Sequence, residues 1–272
     1  MDALKQVFFP ANYTELFSVW SSDAFLCAGG TAQSRFQGKA LLHFAPTIVA
    51  LDALDELRRI TRTERYIELG STVTLNRIIA LGKAVPDVLL RSLEQVADSQ
   101  VRNLATIGGN IQCRLNSTAA LLALDARYEL RSVSGSRWIS AYRFSVEKEE
   151  SAVQRQELLT RIRIPLEKWE YSLCKCFVSP FDLESRGVAV LIARVKKNVL
   201  SDIHLVFAGH TILHDTATET LLIGKKLPLK EEYADMFLEQ WLHYLSAVPD
   251  LEPLLCANLM NFASDSVHGM MA

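Results

Sequence analysis

The stretch VRNLATIGGNI, residues 101–111, contains a glycine pair, Gly108-Gly109. A second pair, Gly29-Gly30, ends the apolar run of residues 24–28, which predicts a buried strand entering a tight turn. Glycine lets the backbone approach a ligand that a Cβ atom would exclude, and successive free N–H groups in such turns form an anion-binding concavity. Two such turns brought together would hold a diphosphate from both sides.

The two glycine pairs match neither of the common nucleotide-binding loops. Neither forms G-x-G-x-x-G, and no Lys-Ser or Lys-Thr pair follows the glycines as in a Walker loop. Isolated Gly-Gly pairs are most often tight turns. The residues alone therefore leave two interpretations open, phosphate-binding loops and ordinary turns.

Composition and charge exclude several classes of protein. The 272 residues include 29 Lys+Arg and 31 Asp+Glu, a formal net charge of −2, so the chain shows no basic surplus of the kind that nucleic-acid binders carry. The apolar runs, such as residues 187–193, are far shorter than the about 20 residues that a membrane helix needs. The first residues do not resemble a signal peptide. We therefore expect a cytoplasmic protein of one large domain or two.

The first half of the chain mixes strand and helix patterns. Residues 46–51 and 66–70 predict strands, and apolar spacing predicts an amphipathic helix over residues 87–99. Asn116 or Ser117 is expected to cap an apolar helix at residues 119–124.

A second region begins after residues 158–165, a strand pattern stopped by proline. We therefore predict two domains, residues 1–167 and 168–272. In the second, residues 187–195 and 200–207 predict a hairpin closed by Lys196-Lys197-Asn198. Helices are expected at residues 216–223, 231–245 and 252–261, the second of them with an apolar stripe of Met236, Phe237, Trp241 and Leu245. Residues 264–272 are expected to be disordered.

The cysteines and histidines do not predict a metal site. The five cysteines are scattered, and the single close pair, Cys174-x-Cys176, has the period of a strand rather than C-x₂₋₄-C spacing. The six histidines show no H-E-x-x-H or H-x-x-E-H spacing, and no G-x-S-x-G elbow indicates a hydrolase. We therefore expect neither a metal nor an iron–sulfur cluster in this chain.

Several motifs, taken in order, resemble one family. They are Ala28-Gly-Gly-Thr31, residues 69–74 (LGSTVT), residues 101–111, residues 121–126 (LLALDA), residues 162–165 (IRIP), and in the second half GVAV at 187–190 and FAG at 207–209. Together they resemble the FAD-binding subunit of molybdenum hydroxylases, the family of xanthine dehydrogenase and carbon monoxide dehydrogenase. The resemblance implies an α+β fold, with a two-lobed FAD-binding domain of PCMH type and a smaller α+β flavoprotein C-terminal domain.

The resemblance also implies which residues contact FAD. A first loop would place its backbone amides against the diphosphate and comprises Leu26, Cys27, Ala28, Gly29, Gly30, Thr31, Ala32 and Gln33. A second loop comprises Thr106, Ile107, Gly108, Gly109 and Asn110, with the Thr106 hydroxyl and the Gly108 and Gly109 amides facing the same phosphates.

Four further positions follow from the resemblance. Val96 would contact the cofactor, although a core role on a helix face is an equally good interpretation. Leu159 and Lys175 would lie near the isoalloxazine, where a lysine favours the anionic reduced flavin; the alternative for Lys175 is a solvated strand residue. Asn116 would hold the sugar or adenine side.

Two departures from the family pattern affect the expected affinity for FAD. Ala32 stands where the family usually has an acidic residue, and Asn116 replaces a second acidic residue. Asparagine still donates and accepts hydrogen bonds but lacks the charge. We therefore expect weaker retention of FAD, or a different loop arrangement.

The implied function is that of a flavoprotein subunit, an oxidoreductase that takes electrons from iron–sulfur clusters and passes them to NAD or another acceptor. Its expected partners are an iron–sulfur subunit and a molybdenum-cofactor subunit. The alternatives are a stand-alone flavin reductase or oxidase of the same fold, such as an enolpyruvyl-sugar reductase, and a scaffold subunit that has lost FAD.

Overall fold

The N-terminal lobe is a small parallel sheet with one helix. The structure, a computed structural model, describes residues 6–31, 46–146, 156–178 and 185–271, so the predicted loop residues Ala32 and Gln33 lie outside the described residues. Strands β1 (Gln6–Phe8), β2 (Ala24–Cys27) and β3 (Thr47–Ala50) lie in the order β1-β3-β2, and helix α1 spans Tyr13–Val19. Apolar side chains including Leu16, Val49 and Leu57 form its core.

The second lobe is a five-stranded antiparallel sheet packed against helices. Its strands are β4 (Ile60–Arg62), β5 (Tyr66–Gly70), β6 (Arg127–Ser132), β7 (Gly135–Ser140) and β8 (Leu158–Pro165), in the order β4-β5-β8-β6-β7. The helices are α2 (Leu75–Ile79), α3 (Asp87–Glu94), α4 (Ser99–Leu104), α5 (Ile107–Gln112), α6 (Ser117–Ala123) and α7 (Ala141–Val146). Short 3₁₀ turns lie at Asp55–Arg58 and Gly82–Ala84.

The predicted helix over residues 87–99 is wrong in its length, because the chain turns after Glu94. Ala97 has a positive φ of 40°, and the Asp98 side chain accepts a hydrogen bond from the Val101 N–H to start α4. The Arg102 guanidinium donates to the backbone carbonyls of Glu94, Val96 and Ala97 at 2.7–3.0 Å. A side chain from the next helix thus satisfies the carbonyls where α3 ends.

The C-terminal region is a four-stranded antiparallel sheet with two long helices. Strands β9 (Tyr171–Val178), β10 (Ser185–Lys196), β11 (Val199–Gly209) and β12 (Ile212–His214) lie in the order β12-β11-β10-β9. Helices α8 (Thr216–Thr220), α9 (Glu231–Ser246) and α10 (Pro253–His268) follow. The predicted hairpin is confirmed, with φ values of 50° and 63° at Lys197 and Asn198.

Both faces of this sheet are buried, which explains the continuous apolar run in β10. Val188, Val190 and Ile192 belong to the core of the second lobe, whereas Ala189 and Leu191 pack into a separate core with α9 and α10. The sheet therefore packs directly on the second lobe, which is part of the predicted domain of residues 1–167. The boundary at residue 167 falls between β8 and β9 and stays a prediction.

Three predictions for the C-terminal region differ from the structure. Disorder is predicted for residues 264–272, but α10 continues to His268 and Met270 is buried. The chain is therefore ordered up to Met271, the last described residue. Met236 is exposed and is not part of the buried apolar stripe predicted for α9, whereas Phe237, Trp241 and Leu245 are buried. The predicted helix at residues 216–223 is shorter and ends at Thr220.

No helix in the described ranges has the length and apolar character to cross a membrane. The predicted α+β class is confirmed.

Candidate functional site

A cavity of about 940 Å³ lies where the two lobes and β9 meet. The two glycine pairs predicted to face one ligand both line it. Its wall includes these predicted residues: Leu26, Cys27, Ala28, Gly29, Gly30, Thr31, Val96, Thr106, Gly108, Gly109, Asn110, Asn116 and Leu159. The structure therefore brings together residues that are distant in the sequence.

The first loop presents open backbone to the cavity. It leaves the sheet after Cys27, and Gly30 has a positive φ of 66°, a conformation that favours glycine. Among the described residues, no acceptor receives the N–H groups of Gly29 or Gly30. A Cβ atom on Gly29 would lie 1.7 Å from the Leu104 carbonyl oxygen, so this loop packs directly on the end of α4.

The second glycine pair is built differently. Thr106 caps α5, and its hydroxyl accepts a hydrogen bond from the Gly109 N–H at 3.1 Å. The Gly108 N–H donates to the Ser71 carbonyl at 2.8 Å, and a Cβ atom on Gly108 would lie 2.8 Å from the Ser71 Cβ. Both amides predicted to face phosphate thus already have partners in the protein, and Gly108 allows close packing instead.

Two residues that the sequence did not single out, Ser71 and Thr72, also line the cavity and carry buried hydroxyls. Ser71 Oγ and Thr72 Oγ1 are buried and have no hydrogen-bond partner in the structure. A buried hydroxyl without a partner costs about 1–3 kcal/mol, so a polar ligand group that reached these hydroxyls would gain hydrogen bonds. The motif at residues 69–74 contains both, but it assigns no role to their side chains.

Asn116 is buried at the cavity wall but does not cap α6 with its side chain. Its Nδ2 donates to the Gln95 carbonyl at 3.2 Å and lies 3.9 Å from Cys176 Sγ. Val96 lies beyond α3, not on its helix face, and both lines the cavity and packs on the core. Its two interpretations are therefore compatible.

Two predicted contact residues lie elsewhere. Ile107 is fully buried in the core of the second lobe and is not part of the wall. Lys175 pairs with Ala189, whose side chain faces the C-terminal helices, and its Nζ lies 5.8 Å from the Phe177 ring centroid. Its neighbour Cys176 faces the cavity instead, because side chains alternate along a strand.

The charge of the described wall is close to neutral. Glu157 is the one charged residue among the described lining residues, and Arg137 binds it with two hydrogen bonds of 2.7 and 2.8 Å. Burial, together with the charge of Asp52, raises the pKa of the Cys27 thiol, so this thiol stays protonated at neutral pH. Such a wall offers a ligand hydroxyl and amide dipoles rather than ion pairs.

Comparison with known proteins identifies the family. The model of the FAD binding domain in molybdopterin dehydrogenase matches residues 3–167. The chain belongs to this family. This FAD-binding chain is similar to the glyceraldehyde dehydrogenase medium chain of Sulfolobus acidocaldarius, with 28% identity over 191 residues covering 66% of each chain.

Two further comparisons cover more of the chain. The carbon monoxide dehydrogenase medium chain of Hydrogenophaga pseudoflava is 27% identical over 217 residues, 75% of this chain and 74% of that protein. A solved structure of carbon monoxide dehydrogenase from the same organism has a TM-score of 0.82 at 20% identity, covering 100% of this chain and 97% of that chain. The latter shows that the fold is shared along the whole chain.

The predicted resemblance, the oxidoreductase class and the FAD cofactor are thus confirmed. The chain is an FAD-binding subunit of the molybdenum hydroxylase family. The cavity fits the cofactor in two respects: the partnerless hydroxyls of Ser71 and Thr72 supply donors, and the Gly29 and Gly30 amides supply more. Hydrogen bonds of this kind hold a diphosphate without basic side chains.

Proposed function

We propose that this subunit holds FAD in the cavity between the two lobes, takes electrons from iron–sulfur clusters of a partner chain and passes them to NAD or another acceptor. The observation that carries the cofactor placement is the pair of partnerless buried hydroxyls of Ser71 and Thr72, residues that line the same cavity as the open Gly29-Gly30 backbone. The relatives named medium chains of glyceraldehyde and carbon monoxide dehydrogenase support the electron-transfer role.

The chain's own residues position the cofactor and exclude water. The Gly29 and Gly30 amides and the Ser71 and Thr72 hydroxyls would bind the diphosphate. Apolar wall residues, among them Leu159, would shield the ring system from solvent. FAD supplies the redox chemistry when bound, so the protein needs no acid–base pair.

Removing the hydroxyls tests the placement. We expect Ser71→Ala and Thr72→Val each to weaken FAD binding about fivefold, the equivalent of one hydrogen bond worth about 1 kcal/mol. The matched control is Thr118→Val, which removes another buried hydroxyl without a partner, one that does not line the cavity. FAD binding is measured by titrating the deflavinated protein and following flavin fluorescence.

The outcomes of this titration separate the proposals. Equal FAD affinity in Ser71→Ala, Thr72→Val and the control Thr118→Val would mean that the diphosphate does not contact Ser71 or Thr72. A protein that purifies colourless and takes up no FAD would instead be a scaffold subunit, the alternative motivated by Ala32 and Asn116.

Purification from the native host tests the partners. We expect the chain to co-elute stoichiometrically with one chain that contains iron and acid-labile sulfide and one that contains molybdenum. Addition of NAD to the dithionite-reduced complex should then give NADH, or another acceptor should reoxidise the flavin. A yellow protein that elutes alone and turns over with NADH would favour the stand-alone reductase. The cytoplasmic location stays a prediction.

A further inference from the structure

A cluster of two histidines and a glutamate lies apart from the cofactor cavity. His204 is on β11, His214 on β12 and Glu219 on α8, and their ligand atoms all lie within 4.8 Å of one another. None of the three lines the cavity. The strand register explains the meeting: His214 pairs with Val206, so His204 is two residues away on the same face. Sequence spacing could not show this.

The carboxylate is fixed at the centre of the cluster. Glu219 is buried, and its Oε1 accepts the Leu205 N–H at 2.7 Å. Asp215 accepts hydrogen bonds from the Ala217 and Thr218 N–H groups at the start of α8, which sets the helix against the sheet.

Each imidazole turns one nitrogen toward this carboxylate. His214 Nε2 lies 3.0 Å from Glu219 Oε1, and His204 Nδ1 lies 3.7 Å from Oε2. His214 Nε2 is buried and has no hydrogen bond of acceptable geometry, despite the short distance. The cluster therefore contains a buried nitrogen lone pair or N–H that the protein itself does not satisfy.

The other nitrogen of His204 has a carboxylate partner. His204 Nε2 lies 3.5 Å from Asp202 Oδ1, which leaves Nδ1 facing inward. Histidines that bind a metal commonly give their second nitrogen to a carboxylate in this way, which fixes the ring and the tautomer. The same arrangement is not required of a histidine that only forms an ion pair.

We propose that His204, His214 and Glu219 bind one divalent transition-metal ion, with Zn²⁺ as the best match. Two imidazoles and one carboxylate are a common zinc donor set, with bonds of about 2.0–2.2 Å. Ligands of a tetrahedral site at such bond lengths lie about 3.4 Å apart. His214 Nε2 lies 3.0 Å from Oε1 of Glu219, and His204 Nδ1 lies 3.7 Å from Oε2 of the same carboxylate. All the ligand atoms lie within 4.8 Å of one another, so small side-chain movements would bring them to this separation.

The location gives the ion a structural role. The histidine side chains are 17% and 15% exposed, so solvent reaches the cluster and water can complete the coordination. The ion would join the three-residue edge strand β12 to β11 and α8. The Tyr142 ring of the first domain packs edge-on against His214, with ring centroids 5.6 Å apart. The site thus stabilises the sheet edge that meets the FAD-binding domain.

Zinc binding to the full FAD-loaded chain tests the proposal. After dialysis against a chelator, Zn²⁺ is added, free metal is removed, and bound zinc is measured by elemental analysis. We expect one Zn²⁺ per chain and a higher melting temperature with Zn²⁺ than with Mg²⁺. His204→Ala and Glu219→Gln should lower the zinc affinity at least tenfold, since each removes a ligand.

The control variant is His243→Ala, which removes an exposed histidine on α9 and should bind zinc as the wild type does. Retained FAD binding shows that a variant is folded, because the cofactor cavity does not include the cluster. Less than one zinc per wild-type chain, or equal zinc binding by wild type and His204→Ala, would overturn the proposal and leave a histidine–glutamate ion pair.

Discussion

The two glycine pairs at the cavity have the same sequence and different structures. At Gly29-Gly30 the backbone is open, with a positive φ at Gly30 and two amides that have no acceptor among the described residues. At Gly108-Gly109 the backbone forms the start of α5, and both amides donate within the protein. One pair exposes hydrogen-bond donors, whereas the other allows close packing of α5 on Ser71.

In each pair, one glycine has no room for a Cβ atom beside the neighbouring backbone, and the other has more space around it. A Cβ atom would lie 1.7 Å from backbone at Gly29 and 2.7 Å at Gly108. At Gly109 the nearest atom, Thr106 Oγ1, is at 3.1 Å, and at Gly30 it is Cys27 Sγ at 3.9 Å. Alanine at the four positions should therefore give a graded series.

Gly29→Ala should have the largest effect. Its methyl group cannot coexist with the Leu104 carbonyl oxygen at 1.7 Å, so the loop must leave α4. We expect a loss of about 3 kcal/mol in the free energy of unfolding, the upper end of overpacking costs, measured by urea denaturation. FAD affinity should fall as well, since the loop carries the open amides. A variant with wild-type stability would show that the two lobes are not in contact here.

Gly108→Ala should destabilise less. The new methyl group would meet the Ser71 carbonyl oxygen at 2.7 Å and Ser71 Cβ at 2.8 Å, and a small shift of α5 can relieve both. We expect a loss of about 2 kcal/mol in the same denaturation experiment. FAD affinity should fall because Ser71 moves, and combining the change with Ser71→Ala should cost less in affinity than the sum of the two.

The sequence identified both pairs but could not assign these roles. The family motifs predicted the fold and the first loop, because each is a local pattern. The partners that distinguish the pairs are distant: Leu104 for Gly29 and Ser71 for Gly108. The split between α3 and α4 likewise depends on Arg102, whose side chain reaches back to three carbonyls. Which of Lys175 and Cys176 faces the cavity depends on strand parity, which only the register reveals.

Gly30→Ala should affect stability only through the backbone. Space is available around the new methyl group, but a φ of 66° costs an alanine about 1 kcal/mol relative to glycine. FAD affinity, followed by flavin fluorescence, should fall more than stability does, because the strained residue carries an open amide. Unchanged affinity together with reduced stability would assign this glycine to the turn alone.

Gly109→Ala should have the smallest effect on stability. Alanine is favoured over glycine in a helix by up to about 1 kcal/mol, and the contact with Thr106 Oγ1 at 3.1 Å offsets part of this gain. We expect the free energy of unfolding to stay within about 0.5 kcal/mol of the wild type. Because Gly109 lines the cavity, its methyl group would also occupy space beside the ligand. Wild-type stability with reduced FAD affinity would mean that the second pair faces the cofactor despite its bonded amides. Wild-type stability together with wild-type FAD affinity would mean that the second glycine pair serves only to pack α5 on Ser71, through Gly108.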